Sequence, residues 1–225
     1  RVYYHLRRYE CGGADLVSLV ARLGECGPGT PAQQRQAATL AVAEAHKSTA
    51  ERLASLEEFH RQLFACIGRP RAVLDVGCGV YPLLFPFDGA GASVTRYVAA
   101  DKNPPAVAAV EAYARARGDG RLVALGWDIR DGWEAILGQN GGRQFDVALL
   151  LKLVPVVGRQ RRQLLPILAQ TPARTWVLSG CRTSMTRRRS IERRERAILR
   201  RFVELAKRRV RVEFVAGEEF AWVVE

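Results

Sequence analysis

Short apolar runs that alternate with helix-forming stretches constrain the fold of this chain more than any other feature. The runs are rich in β-branched residues and predict strands near residues 72–76, 95–100, 121–125, 145–151 and 174–179. The sequence between and after them predicts helices near residues 103–117, 131–138, 159–169 and 187–208. Because parallel strands are usually joined by a crossover helix, this alternation indicates an α/β fold with a parallel sheet wrapped by helices.

The last part of the sequence breaks this rhythm. In "RRVRVEFVAGEEFAWVVE" two apolar runs flank Ala216 and Gly217 with no helix between them, which predicts a β-hairpin. A doubly wound, Rossmann-like sheet that closes on a β-hairpin is the layout of class I methyltransferases that use S-adenosyl-L-methionine (SAM). The chain lacks the G-x-G-x-x-G pattern after its first strand, which argues against an NAD-dependent oxidoreductase.

The beginning of the chain predicts a helical N-terminal subdomain over residues 1–68, ahead of a methyltransferase domain over residues 69–225. The linker "GECGPGTP" separates one or two short helices in residues 2–23 from further helices. Apolar residues recur at helical spacing from Leu53 to Ile67. Ser48 followed by Glu51 predicts a capping box at the start of that helix.

Cysteine usage and hydropathy narrow the class of protein. The five cysteines are odd in number and none forms a C-x-x-C pair, so the sequence supports neither a disulfide framework nor a metal site. No apolar run reaches the ~18 residues that a membrane-spanning helix needs. The opening "RVYYHLRRYE" has neither an initiator Met nor a signal-peptide apolar region, which we interpret as a cytoplasmic protein without membrane association.

Positive charge is concentrated in one segment. The formal net charge is +12, and residues 182–211 hold thirteen Arg or Lys against three Glu, a net of +10. A one-sided surplus of this kind is typical of a surface that binds a polyanion, whereas a solvated helix face usually carries both signs. The charge therefore favours a nucleic acid as a partner over the alternative of a solvated helix face. The predicted phosphate-binding residues are Arg182, Arg187, Arg188, Arg189, Arg193 and Arg194.

Polar or glycine residues follow each of the first three predicted strands. The first strand runs into "DVGCG", where Gly77 and Gly79 allow a tight turn and close approach to a ligand. Asp101 ends the second strand, where a carboxylate can accept both ribose hydroxyls of an adenosine. Asp128 follows the third strand and is predicted to meet the adenine amino group, with Ile129 packed on the ring.

This order of a glycine turn, a ribose carboxylate and an adenine-edge carboxylate favours SAM as the cofactor. The methionine carboxylate of SAM needs a cation, and Arg52 in "HKSTAER" supplies one. A surface helix charge is the alternative interpretation of Arg52, and a helix cap is the alternative for a single Asp at a strand end.

Four stretches resemble the aminoglycoside-resistance 16S rRNA (guanine-N7) methyltransferases, which act on a guanine of the decoding site. They are "HKSTAER", "VLDVGCGVYPL", "LLLKLVP" followed by Gln160, and "GEEFAWVVE". The resemblance implies SAM as cofactor, S-adenosylhomocysteine as product, and 16S rRNA within the 30S subunit as partner of a monomeric enzyme. The residues at the matching cofactor positions are His46, Ser48, Arg52, Gly77, Asp101, Asp128, Ile129, Leu151 and Gln160.

The resemblance also implies that Lys152, as a catalytic positioning residue, lies close to the target base. Guanine N7 carries a free lone pair, so its methylation needs no general base, and positioning supplies the rate. Tyr81 and Trp127 are candidates for stacking on an extruded base, or else for simple packing. Two alternatives remain open: a SAM-dependent enzyme for another RNA, and a non-catalytic RNA-binding relative. A small-molecule acceptor fits the basic segment less well.

Overall fold

The computed structural model of the chain describes residues 16–27, 29–118, 120–184 and 190–225. Its first elements are helical, as predicted, and residues 1–15 of the predicted N-terminal helices lie outside the description. The helices within the described part of this region are α1 (Leu16–Gly24), α2 (Ala32–Ala45), α3 (Lys47–Leu53) and α4 (Leu56–Ile67). Gly68, with φ of 67°, ends α4 in a conformation that favours glycine. A domain boundary between residues 68 and 69 stays a prediction.

One seven-stranded sheet follows, with the strand order β3-β2-β1-β4-β5-β7-β6. Strands β1 to β5 pair in parallel, and β7 lies antiparallel between β5 and β6. The parallel sheet and its closing hairpin are therefore as predicted. The strands are β1 (Ala72–Val76), β2 (Arg96–Asp101), β3 (Leu122–Gly126), β4 (Phe145–Leu150), β5 (Ala173–Cys181), β6 (Val210–Ala216) and β7 (Glu219–Val224).

Helices and short 3₁₀ turns connect these strands. The helices are α5 (Pro104–Arg117), α6 (Glu134–Gly138), α7 (Leu153–Gln160), α8 (Leu165–Leu168) and α9 (Glu192–Leu205). The 3₁₀ turns are Tyr81–Leu84, Ile129–Asp131 and Arg162–Leu164. Helix α5 agrees with its prediction to one residue, because Pro104 fits the first turn of a helix and Gly118 ends it in the left-handed region.

The predicted helix over residues 159–169 was wrong in position. The helix begins at Leu153 and ends at Gln160, and a 3₁₀ turn and the short α8 follow it. Lys152 has φ of 58°, which ends the strand abruptly, and Pro155 lies in the first turn of α7, where its missing N–H costs nothing. The predicted helix 187–208 is observed as Glu192–Leu205, and residues 185–189 lie outside the description.

The two faces of the sheet bury separate hydrophobic clusters. In β1, Val73 packs on one face and Leu74 on the other, as the period of two in a strand requires. Leu23, Phe59 and Leu63 of the N-terminal helices are fully buried on the face of Val73. Burial of each such side chain stabilises the fold by about 1.5–3 kcal/mol, so the N-terminal helices are part of the same core as the sheet.

Among the described residues, no helix combines the length and apolar character needed to cross a membrane.

Candidate functional site

The glycine turn after β1 lies where the strand order reverses, between β1 and its neighbours β2 and β4. Gly77 and Gly79 have φ of 65° and 53°, and the Gly77 N–H donates to Ala100 O at 2.8 Å. A Cβ on Gly77 would lie 2.8 Å from Leu153 Cδ1, and one on Gly79 would lie 2.8 Å from His46 Cε1. Only glycine fits both positions, and the turn forms a cradle of backbone at the carboxyl edge of the sheet.

Asp101 holds this turn in place. Its Oδ2 accepts a hydrogen bond from Gly79 N at 2.8 Å, and its Oδ1 accepts one from Asn103 N at 2.8 Å. A carboxylate offers about four acceptor positions, so each oxygen keeps a lone pair for a further donor. Asp101 therefore ends β2 beside the glycine turn with capacity for the hydroxyl groups that the sequence assigned to it.

Asp128 lies on the same edge, after β3, but already has a cationic partner. Its Oδ1 and Oδ2 accept from Arg130 Nε at 2.9 Å and Nη2 at 3.1 Å. The hydrogen bonds from Arg130 lower the pKa of Asp128 to about 2. Ile129 is the first residue of the following 3₁₀ turn. It is half-buried and packs on the hydrophobic cluster that contains Leu74. The predicted contacts of Asp128 and Ile129 with adenine stay predictions.

His46 approaches the glycine turn from the N-terminal helices. It occupies the N-cap position of α3, and its Nδ1 lies 2.9 Å from Thr49 Oγ1 and 3.4 Å from Ser48 Oγ. Burial lowers the pKa of His46, as do Lys152 and Arg52, although Asp101 opposes them. The ring is thus a neutral hydrogen-bonding group near neutral pH. The predicted capping box of Ser48 was wrong, because the helix starts at Lys47 and Ser48 lies inside it.

A buried charge cluster lies beside this cradle, and we name it the Arg52–Glu219 cluster (Arg52, Lys152, Ser179 and Glu219). Arg52 Nε and Nη2 donate to Glu219 Oε2 at 2.9 Å and Oε1 at 2.8 Å, and the two side chains are 4% and 5% exposed. The guanidinium carbon of Arg52 lies 4.8 Å from the centre of the Tyr81 ring. Ser179 Oγ donates to Glu219 Oε1 at 2.5 Å. The cluster therefore joins α3 to β5 and β7.

Electrostatics keeps this cluster charged. Burial by itself would raise the pKa of Glu219, but the neighbouring Arg52 and Lys152 and the hydrogen bonds from Arg52 and Ser179 hold it at about 2. Burial also opposes the charge of Arg52, yet the pKa of Arg52 is raised because Glu219 compensates the guanidinium. A bidentate pair of this kind fixes the orientation of both groups.

Lys152 points from the end of β4 into the same cluster. Its backbone N–H donates to Ser179 Oγ at 2.9 Å, which supports its left-handed conformation. Its Nζ lies 3.3 Å from Ser48 O, 3.4 Å from Glu51 Oε2 and 3.6 Å from Glu219 Oε2. The ammonium group is therefore held at the carboxyl edge, although its predicted contact with a target base is untested.

Asp75, near the end of β1, is a buried carboxyl group that forms no ion pair with any described residue. Tyr97 OH donates to its Oδ2 at 2.8 Å. Burial raises the pKa of Asp75 to about 7, although Tyr97 and Arg52 oppose the shift. Asp75 thus differs from Glu219, which carries its charge beside two cations.

The remaining predicted cofactor residues are Leu151 and Gln160, and their contacts with a cofactor stay predictions. Leu151 follows β4, is half-buried and packs on the hydrophobic cluster that contains Val73. Gln160 is the exposed last residue of α7. The candidate stacking residues are both buried, and Trp127 packs 4.8 Å from Trp133 while its Nε1 donates to Gly132 O. Burial of Tyr81 and Trp127 favours the packing alternative for both.

The predicted RNA-binding arginines divide into three groups. Arg193 and Arg194 are exposed on α9. Arg182 is half-buried, and its Nε donates to Glu192 Oε2 at 3.1 Å. Arg187, Arg188 and Arg189 lie outside the described residues. A bridge between Thr183 and Ser190 joins the two sides of that segment.

Sequence reasoning missed Ser179 and Glu219. Glu219 lies in "GEEF", where it follows a second glutamate. The sequence there does not alternate between polar and apolar residues, so it does not indicate which glutamate is buried. Every residue of β7 is buried, so the strand offers no such signal. Within the described ranges, no group of His, Cys, Asp and Glu side chains has the arrangement of a metal site.

Comparison with protein families gives one match over nearly the whole sequence. The family described as ribosomal RNA methyltransferase (FmrO) matches residues 2–213. The chain is also similar to the 16S rRNA (guanine(1405)-N(7))-methyltransferase of Micromonospora echinospora, with 34% identity over 117 residues. That alignment covers 52% of this chain and 39% of the relative. The enzyme of the same description from Proteus mirabilis is 28% identical over 123 residues, which cover 54% of this chain and 41% of the relative.

Solved structures agree with the fold. The structure of the 16S rRNA methyltransferase RmtF in complex with S-adenosyl-L-homocysteine superposes with a TM-score of 0.66 and 27% sequence identity. The alignment covers 93% of this chain and 74% of the RmtF chain. The structure of the 16S rRNA methylase RmtB superposes with a TM-score of 0.69 and 21% sequence identity, and the alignment covers 99% of this chain and 80% of the RmtB chain. The fold is that of the class I SAM-dependent methyltransferases. The chain aligns with about two fifths of the length of the curated relatives.

Proposed function

Because the chain belongs to the ribosomal RNA methyltransferase (FmrO) family, we propose that it transfers a methyl group from SAM to N7 of a guanine in 16S rRNA. The proposed target is guanine 1405, the nucleotide in the names of the curated relatives. By the resemblance described above it is the decoding-site guanine, and its modification would confer aminoglycoside resistance. The observation that carries the proposal is the backbone cradle of Gly77 and Gly79, tied to Asp101 at the switch point of the sheet.

The residues around the cradle suit SAM. The N–H of Gly79 orients the Asp101 carboxylate, whose remaining lone pairs would accept the ribose hydroxyls beside the glycine turn, and His46 closes the opposite side. The bonds to Glu219 use Nε and Nη2 of Arg52, which leaves Nη1 for the methionine carboxylate. Asp128, Ile129, Leu151 and Gln160 would border the adenine. Bound SAM supplies an electrophilic methyl group on its sulfonium.

The chain contributes position rather than acid–base chemistry. Guanine N7 attacks through its own lone pair and loses no proton, so alignment of N7 with the methyl group provides the acceleration, up to ~7–11 kcal/mol. Lys152, whose Nζ is held by Ser48 O, Glu51 and Glu219, would orient the guanine at this edge. N7 of a paired guanine faces a narrow RNA groove, so the nucleotide must leave its helix to reach the site.

The partner is the 30S subunit, which the enzyme meets as a monomer in the cytoplasm. The exposed arginines of α9 would bind phosphates without reading sequence and hold the subunit in register.

Methyl transfer from labelled SAM to 30S subunits, compared with naked 16S rRNA, tests the proposal directly. Borohydride–aniline cleavage followed by primer extension maps an N7-methylguanine to its nucleotide. We expect label at the decoding-site guanine of intact subunits. In Asp101→Ala we expect the loss of both this label and SAM binding, the latter measured by calorimetry. Label in another RNA would identify a different acceptor. SAM binding without transfer to any RNA would sink the proposed reaction.

A further inference from the structure

A long stretch of the chain contains no carboxylate. No Asp or Glu occurs between Asp146 and Glu192. The same stretch contains nine cationic residues: Lys152, Arg159, Arg161, Arg162, Arg174, Arg182, Arg187, Arg188 and Arg189. Positive charge therefore begins well before the basic segment at 182–211, and it begins in the connection that leaves the candidate site along α7.

The end of α7 packs directly on α9. A Cβ on Gly158 would lie 2.7 Å from Ile198 Cγ2, so the two helices are in close contact there. Arg159 forms an ion pair with the buried Glu195, and Glu195 Oε2 also accepts from Cys181 N at 3.5 Å. Because Cys181 ends β5, the end of α7 lies beside the carboxyl edge of the sheet and next to the basic helix.

Arg161 and Arg162 follow immediately and are exposed. Neither has an ion pair with any residue that the structure describes. Two carboxylates of α9, the helix on which the end of α7 packs, are already compensated, since Glu195 binds Arg159 and Glu192 binds Arg182 and Arg196. The charges of Arg161 and Arg162 therefore add to those of the exposed α9 arginines.

We propose that Arg161 and Arg162, the turn patch, bind phosphates of the substrate RNA and extend its binding surface from α9 to the border of the cofactor site. This inference rests on the proposed function, and it adds a contact region that the basic segment does not include. The neighbours Gln160 and Gln163 are exposed and polar, which suits a hydrated phosphate backbone and not a lipid surface.

The test compares two charge-matched double variants of the full chain. Arg161→Glu with Arg162→Glu reverses the turn patch. Arg143→Glu with Arg174→Glu makes the same change in charge at exposed positions near the starts of β4 and β5, the opposite edge of the sheet and outside the basic segment. Binding to 30S subunits is measured from low to moderate salt, alongside SAM affinity, melting temperature and methyl transfer.

We expect the turn-patch variant to bind 30S subunits roughly 10-fold more weakly at low salt, and its logarithmic salt slope to fall by about 1.4–1.8, as loss of two phosphate contacts predicts. SAM affinity should be unchanged, and the opposite-edge control should bind like wild type. Arg161→Lys with Arg162→Lys should restore most of the affinity because it keeps the charge. Arg161→Gln with Arg162→Gln provides the comparison if the reversed charges lower the melting temperature.

Equal 30S affinity and salt slope in the folded turn-patch variant and the control would overturn the inference, with the proposed function intact if wild type methylates the subunit. Absence of transfer and of salt-dependent 30S binding in wild type would overturn both.

Discussion

Arg52 and the arginines of α9 are the same residue type in opposite environments. The Arg52 side chain is 4% exposed, bound by Glu219 through two nitrogens and lying over the Phe59 and Tyr81 rings. Arg193 and Arg194 are exposed to water, which screens their charge. A buried arginine is useful because its position is fixed, whereas an exposed one is useful because a polyanion can approach and bind it.

The energetic consequence is that a change of charge should affect different properties in the two regions. Removal of one partner from the Arg52–Glu219 cluster leaves an uncompensated buried charge. Removal of an exposed α9 charge leaves a hydrated side chain, and only the binding of an anion should change. The following predictions test this contrast, from the largest expected effect to the smallest.

Glu219→Gln should lower the free energy of unfolding by about 3–5 kcal/mol, because the Arg52 guanidinium stays buried without its counter-charge. Urea unfolding of the variant and wild type measures the difference. Glu218→Gln is the matched control, since the adjacent Glu218 is exposed and, among the described residues, its carboxylate accepts a hydrogen bond from Thr183 Oγ1 alone. An equal loss of unfolding free energy in both variants would show that burial of the Arg52–Glu219 pair is not the reason for the destabilisation.

Asp75→Asn should remove a pH dependence of stability. The pKa of Asp75 is about 7 in the fold against an ordinary value of 3.8, so folding favours its protonated form. Its contribution to stability is complete below pH 3.8 and is lost as the pH rises through 7, by at most ~1.4 kcal/mol per pH unit. The free energy of unfolding of wild type relative to Asp75→Asn should therefore fall between pH 4 and 7. A constant difference over that range would contradict the prediction.

Arg193→Gln with Arg194→Gln should change the free energy of unfolding by less than ~0.5 kcal/mol, because both side chains are exposed. Binding to 30S subunits should weaken and become less sensitive to salt. Thermal unfolding and a salt titration of binding measure the two quantities. A loss of stability comparable to that of Glu219→Gln would remove the distinction between the two regions.

The sequence predicted the sheet well because the signal for each strand is local. Runs of β-branched residues between helix-forming stretches placed β1 to β5 within one or two residues, and the "DVGCG" turn predicted the two left-handed glycines. The start of α7 was not predictable in this way. Residues 153–157 are apolar like the strand before them, and only the left-handed conformation of Lys152 separates the two elements.

In the candidate site, the sequence predicted the residues whose position follows from their own strand or turn. It did not predict those whose position depends on contact with a distant part of the chain. Asp101 was found because a carboxylate at the end of a second strand has a known geometric consequence. Glu219 was not found, because its burial depends on Arg52 from another element. Asp128 forms an ion pair with Arg130, which the sequence pattern did not indicate.

The position of β7 has a consequence for the order of folding. This strand lies between β5 and β6, and its Glu219 bonds to an arginine 167 residues earlier in the sequence. Contacts of such separation form late, because loop closure must precede them. During synthesis, α3 leaves the translating ribosome long before β7 does. Until then Arg52 lacks its counter-charge, and β5 lacks the neighbour on the side away from β4. Insertion of this strand would thus be a late, cooperative step that completes the sheet and sets the geometry of the site at the same moment.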